Sequence, residues 1–339
     1  MRANWKAAVA GWHLIVGAAC VVAFVALARY FVLTVNGQKF DFVALTGNSI
    51  GRARIDEMVN TVLDGMSLLS LAIATAVLAF IALIRRRRGL ALMVLLLITG
   101  ANATTQALKA FITRPNLGVG IERAAAGNSL PSGHTTIAAS VAVALVLVLP
   151  PRTRAVGGFL AAGYAAVAGV ATLSAGWHRP SDAVAALLVV GGWTAAVSFV
   201  LVLSQRKQDF VLQRDAHPVA TIVLVLAGIV LLAVAAVAFE LTDQVHDLDP
   251  DELSRRRLFA AYAGGAAGVA GTAALLVGLI LATIHRVVPH RGRSTAISGD
   301  TPPSDDVTVR LADGEAPTVR LSDQDATVKL PPDGPRATA

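Results

Sequence analysis

Long apolar stretches without a charged side chain decide what this chain can become. Ala183–Leu203 and Val219–Phe239 carry no ionisable residue at all, and each matches the roughly 20 apolar residues that cross a bilayer. Such runs are too long and too numerous for the buried helices of a soluble core. Eight segments are expected to be helices: Ala7–Leu33, Val62–Ile84, Gly89–Leu108, Thr135–Leu149, Val156–Leu173, Ala183–Leu203, Val219–Phe239 and Phe259–Ile284. Several are rich in Ala, Gly and Val, which permits close helix contacts in lipid. Composition agrees: 55% of the 339 residues are hydrophobic and 15% are charged, against about a quarter charged in a soluble domain. The expected fold class is all-α, a polytopic transmembrane helical bundle.

The net charge of +7 does not point to nucleic acid. Its arginines cluster beside apolar runs, and aromatic-interleaved basic patches for stacking bases are absent. The clusters are Arg2 with Lys6, Arg85–Arg88, Arg152 with Arg154, Arg206 with Lys207, and His285–Arg293. With eight spans all five fall on one side, which the positive-inside rule makes cytoplasmic. The opposite side then holds the loops Thr34–Asn60, Lys109–Gly133, Ser174–Asp182 and Glu240–Arg257, the last with Arg255–Arg257 among its acids. Cys20, the single cysteine, excludes an intrachain disulfide and a cysteine metal site. Ala26-Leu27-Ala28 resembles a cleavage site, but the apolar run before it exceeds a signal-peptide core, so the first helix is expected to be retained.

Beyond Arg293 the composition turns to Pro, Asp, Thr, Ser and Gly, a disordered tail placed in the cytoplasm. It repeats Thr308-Val309-Arg310-Leu311, Thr318-Val319-Arg320-Leu321 and Thr327-Val328-Lys329-Leu330. Thr308, Thr318 and Thr327 suit a cytoplasmic kinase or a phosphothreonine-binding partner. A solvated linker is the plainer reading of the same repeats.

Three clusters on the non-cytoplasmic side carry chemistry. Lys109 to Pro115 closes the third expected helix with two cations. Alone they read as snorkelling side chains; as an anion clamp, Arg114 offers a planar fork and Lys109 a point charge. Pro131-Ser132-Gly133-His134 precedes the fourth helix. A helix start favours an anion, Gly133 admits close backbone approach, and Ser132 adds a hydroxyl or merely caps. Gly176-Trp177-His178-Arg179-Pro180-Ser181-Asp182 precedes the sixth helix. Pro180 fits the first helical position, and Asp182 can reach back toward His178. A carboxylate on one ring nitrogen fixes the tautomer and sharpens the other as a nucleophile.

Together these residues resemble the type 2 phosphatidic acid phosphatase superfamily, whose signature is a Lys…Arg-Pro element, a Pro-Ser-Gly-His element and an ending His-x-x-x-Asp. The second is matched by Pro131–His134 and the third by His178 and Asp182. The resemblance implies a six-helix core over residues 1–205. It leaves two additional transmembrane helices over 206–287 and the tail over 288–339 unexplained. Two departures stand out. Four residues, not six, separate Lys109 from Arg114, with Asn116-Leu117 at the usual pair position. Thr172 occupies the place of an arginine six residues before the third-element histidine; Arg179 or Arg123 is the available replacement.

The implied mechanism has His178 attack phosphorus, Asp182 orient His178, and His134 protonate the leaving oxygen. Lys109, Arg114, Ser132, Gly133 and Arg179 hold the phosphoryl oxygens, with no metal or cofactor required. The implied substrate is a membrane lipid phosphate: phosphatidic acid, phosphatidylglycerol phosphate or, by a slight preference, a polyprenyl diphosphate. Phosphotransfer to an alcohol is the nearest alternative. A weakly active or non-catalytic membrane adaptor follows from Thr172 and the tail. A transporter is disfavoured by scarce midplane charge.

Overall fold

The computed structural model describes residues 4–49, 68–119, 128–205, 217–243 and 252–288. Among these residues all regular structure is helical. We label the α-helices α1 (Asn4–Leu33), α2 (Val35–Thr46), α3 (Leu68–Ile84), α4 (Arg88–Phe111), α5 (Gly133–Val148), α6 (Arg154–Ser174), α7 (Pro180–Ser204), α8 (Pro218–Asp243) and α9 (Arg255–Val287). Six of them are long and apolar enough to cross a membrane: α1, α4, α6, α7, α8 and α9. α3 and α5 are shorter apolar helices. The tail threonines Thr308, Thr318 and Thr327, Arg123, and the loop cations Arg206 and Lys207 lie outside the described residues.

All eight expected helices are present, with ends displaced by a few residues. The expected start of the second, Val62, lies outside the described residues. One expectation needs correction: Thr34–Asn60 is not simply a loop, because it contains α2 and the short 3-10 turn Gly47–Ser49. Thr34 starts α2 by accepting the Gly37 N–H at 3.0 Å, a side-chain cap for an orphan donor. α2 buries polar residues, Gln38, Asp41 and Thr46, beside apolar ones. Its periodicity therefore does not announce a buried helix. At 12 residues it is also too short to span a bilayer.

The bundle packs through small residues. α9 lies against α8, α6, α7 and α2, while α1 lies against α7 and α2. A Cβ on Gly264 would stand 2.3 Å from the Ala238 Cβ, and one on Gly278 would stand 2.8 Å from Val225. α8 and α9 thus approach at a distance only glycine allows. Large apolar side chains face outward instead: Leu14, Val22, Phe80, Leu160, Val230 and Val237 are all exposed. In water that girdle would drive association; in hydrocarbon it is the natural outer surface. α8 and α9 belong to the same compact unit as the rest of the bundle, Met1–Arg291.

Polar side chains gather several helix ends at one end of the bundle. Arg85 Nη1 donates to the Val148 carbonyl at 2.7 Å. The buried Arg154 donates to the Leu149 and Val288 carbonyls, both at 3.0 Å. Gln205 donates to the Arg286 and Val287 carbonyls at 2.6 and 2.9 Å, and Lys6 donates to the Gln205 carbonyl. Residues from four of the five basic clusters therefore share one end. The helix starts that carry both histidines lie at the other ends of these same helices.

Candidate active site

His178 is delivered by the way α6 stops. Gly176 adopts φ 75°, the left-handed conformation that glycine takes without steric cost. Its N–H donates to the Leu173 carbonyl at 3.0 Å, and the Trp177 N–H donates to Thr172 at 3.0 Å. This pair of bonds is a Schellman ending, which closes the helix and reverses the chain. The His178 N–H joins the Thr172 carbonyl at 3.2 Å. Pro180 then opens α7 at its first position, where its missing N–H costs nothing.

Asp182 reaches back over this start. Its Oδ2 accepts the Arg179 N–H at 2.9 Å and the Ser129 hydroxyl at 2.5 Å. The same oxygen lies 3.4 Å from His178 Nδ1. That is ion-pair range and slightly long for a hydrogen bond. With Nδ1 turned to the carboxylate, Nε2 is the ring nitrogen that faces away from it. Asp182 is fully buried, and His178 is 7% exposed, so the pair is shielded yet the imidazole remains reachable.

His134 sits one residue inside α5. A single backbone bond, from the Ser132 N–H to the Asp182 carbonyl at 2.9 Å, ties the start of α5 to the start of α7. The two imidazoles stand edge to face, ring centroids 6.1 Å apart at 60°, and Trp177 lies 5.3 Å from the His134 ring. Ser132 Oγ is engaged as the α5 cap, accepting the Thr135 N–H at 3.3 Å and the Thr135 hydroxyl at 3.0 Å. Gly133 faces Lys109: a Cβ there would lie 3.6 Å from Lys109 Nζ and 3.8 Å from Gln106 Nε2.

Arg179 Nη1 donates to Ser129 Oγ at 3.1 Å. Arg114 Nη2 donates to the Phe31 carbonyl at 3.1 Å and stands 3.6 Å from Asp41 Oδ2. Its Nη1 is buried without a hydrogen-bond partner among the described residues. Burial draws the Arg114 guanidinium below its usual pKa, and the Asp41 carboxylate opposes that shift. An arginine starting so high stays charged. Thr172, at the position where the resemblance led us to look for arginine, is buried and donates its hydroxyl to Gly169 at 2.8 Å. Its side chain serves its own helix.

The structure thus brings His134, His178 and Asp182 together, with Lys109, Gly133 and Arg179 around them and Arg114 held from α2. Sequence reasoning missed four neighbours. Ser129 bridges Asp182 and Arg179. Asn128 donates to the Ile112 carbonyl at 2.7 Å and to Leu130 at 3.3 Å, pinning the segment that carries Arg114 beside the one that carries Ser132. Gln106 lies one turn before Lys109 on the same helix. Asp41 accepts the Ser181 hydroxyl at 2.5 Å. For Asn128 and Ser129 a signal existed, two polar residues directly before Leu130-Pro131; for Asp41 none did. Among the described residues no group of three or more His, Cys, Asp or Glu is placed to hold a metal ion.

No curated protein and no solved structure matches this chain. The family model of the PAP2 superfamily matches residues 88–208. That segment runs from the first turn of α4 past the end of α7 and contains both histidines, Asp182, Lys109, Arg114 and Arg179. Within this helical bundle, residues 88–208 are thus similar to the PAP2 superfamily.

Proposed function

We propose that the protein is an integral membrane phosphatase that hydrolyses a lipid phosphate or polyprenyl diphosphate through a phosphohistidine. The observation that carries this is the pair of opposed imidazoles, one backed by a buried carboxylate, beside three cations. His178 Nε2 attacks phosphorus, and the bond from phosphorus to the leaving oxygen breaks. Burial, His178 and Lys109 all disfavour a charged His134 in the empty site; the incoming phosphate's negative charge offsets them, and His134 as imidazolium gives its proton to that oxygen. Water then attacks the phosphohistidine, His134 takes a proton from the water, and phosphate leaves with His178 restored. This chemistry needs positioning and charge stabilisation more than covalent help. Lys109, Arg114 and Arg179 supply the charge. The unpartnered Arg114 Nη1 favours an incoming oxygen, since a buried donor left unpaired costs about 1–3 kcal/mol.

An amphiphilic substrate is supported by an apolar groove of about 680 Å³ between α1, α4 and α7. Phe24, Val25, Leu108, Leu188 and Phe199 are among its lining residues, and Leu108 is the chain neighbour of Lys109. A hydrocarbon tail seated there would leave its phosphate at the cations. The basic end of the bundle supports a cytoplasmic placement for that end, and hence an extracytoplasmic site in the plasma membrane.

The test is phosphate release by the full-length protein in detergent, offered phosphatidic acid, phosphatidylglycerol phosphate and a polyprenyl diphosphate. Wild type is expected to release phosphate from at least one, with vanadate inhibiting. His178→Ala should lose at least about 10³-fold, the scale for removing a covalent nucleophile. Equal release by both proteins would refute the nucleophile assignment.

A further inference from the structure

Asp41 lies on α2, outside the matched segment, and is fully buried. Its carboxylate faces two different parts of the site, Ser181 through both oxygens and Arg114 through Oδ2. Oδ2 accepts the Ser181 hydroxyl at 2.5 Å and stands 3.6 Å from Arg114 Nη2, while Oδ1 lies 3.4 Å from the Ser181 N–H. Ser181 is the residue before Asp182, in the first turn of α7. The same helix and the turn after it supply two further polar grips. Gln38 donates to the Pro115 carbonyl at 3.0 Å, next to Arg114, and Asn48 donates to the Leu173 carbonyl at 3.3 Å, inside the turn that delivers His178. α2 is itself wedged between neighbours. A Cβ on Gly37 would meet the Tyr30 carbonyl of α1 at 2.2 Å, and one on Gly47 would meet the Leu258 carbonyl of α9 at 2.2 Å.

Electrostatics give Asp41 a task. Arg114 and Arg179 repel one another across the site, and the Asp41 carboxylate attracts Arg114 more strongly than Arg179 repels it. Without a carboxylate, Arg114 would be a buried cation facing a like charge, held among the described residues by its bond to the Phe31 carbonyl. We propose that Asp41 is a positioning residue of the phosphate site, fixing Arg114 on one side and the first turn of α7 on the other, an assignment that rests on the phosphatase reading above. It makes room for two guanidinium groups in a site whose usual third-element arginine is replaced by Thr172.

The experiment compares wild type, Asp41→Asn, Arg114→Ala and the double variant as full-length protein in detergent micelles at about pH 8, where a carboxyl is ionised even when moderately raised. The probes are vanadate and the best-cleaved of the three lipid phosphates named above. Asp41→Asn keeps size and shape but not charge. It is expected to raise both KM and the vanadate inhibition constant about 10-fold with the thermal midpoint nearly unchanged, whereas general loosening of the fold would lower only the apparent kcat. In the Arg114→Ala background the same substitution should change either constant less than about 2-fold, because residues acting through one another are not additive. Constants within about 2-fold of wild type for Asp41→Asn, or an undiminished effect in the Arg114→Ala background, would overturn the assignment. Should Asp41→Asn fail to fold, Asp41→Glu and Asp41→Gln, alike in size, repeat the comparison of charge against no charge. A wild type that releases no phosphate and is not stabilised by vanadate would refute the phosphatase reading and this assignment together. An active wild type with an unaffected Asp41→Asn would refute this assignment alone.

Discussion

Burial pushes the Asp41 carboxyl up to about 7, the negative Asp182 pushes the same way, and Arg114 opposes both. Ser181, in the first turn of α7, and Arg179, its N-cap, also favour its charged form. A carboxyl raised in the folded state holds a proton that the unfolded chain has already lost between about pH 4 and 7. Its stabilising contribution is therefore complete below about pH 4 and is lost as pH rises through about 7. Wild type should gain thermal stability relative to Asp41→Asn as the pH is lowered from 7 to 4. Melting curves of both proteins in detergent across that range check this, and a pH-independent difference would contradict it. At this scale the sequence was partly legible. His134, His178 and Asp182 stood out because their spacing to helix starts has a chemical meaning. Asp41 did not, because a lone acid between Phe40 and Phe42 carries no motif; its meaning lies in what folds against it from residues 114 and 181.

Helices were legible where apolar composition alone decides them. α8 and α9 announce themselves by length, yet their purpose does not show in their own residues. α9 supports the site from behind. Tyr262 pairs its hydroxyl with Ser174 at 2.7 Å, and a Cβ on Gly265 would stand 2.6 Å from the Pro180 ring. The first turn of α7, with Asp182 in it, thus rests directly on α9. Gly265→Leu should push that turn away, costing about 1–3 kcal/mol of stability as overpacking does. It should also lower phosphate release by more than the loss of folded protein explains. Activity per folded molecule, set against the melting midpoint, separates the two effects. α2 was hidden for the opposite reason. Its buried face mixes Gln38, Asp41 and Thr46 with Phe40, Val43 and Leu45, so a search for apolar periodicity passes over it.

Across the whole molecule, the candidate site and the apolar groove share α4 and α7 and meet near Lys109. Gly192 borders the groove on α7, and nothing lies closer than 4.0 Å to a Cβ added there. Gly192→Leu should fill the groove without disturbing the fold. KM for a long-chain lipid phosphate is expected to rise several-fold, about 1–2 kcal/mol of lost seating, while cleavage of a short water-soluble phosphate ester stays unchanged. Parallel losses on both substrates would argue against a tail in the groove. The two-ended layout was readable from charge, because basic clusters and reactive clusters alternate along the chain with each span. The lateral order of the helices was not, since glycine seams such as Gly264 on Ala238 depend on which helices become neighbours. α2 gives the bundle one more property, seen by imagining its parts exchanged. A polypeptide of residues 88–208 would carry every reactive side chain but not Gln38, Asp41, Asn48, the Phe31 carbonyl or Tyr262. Such a segment is not a transplantable module: moved into another bundle it would bring the reagents and leave behind the vessel that holds them in register.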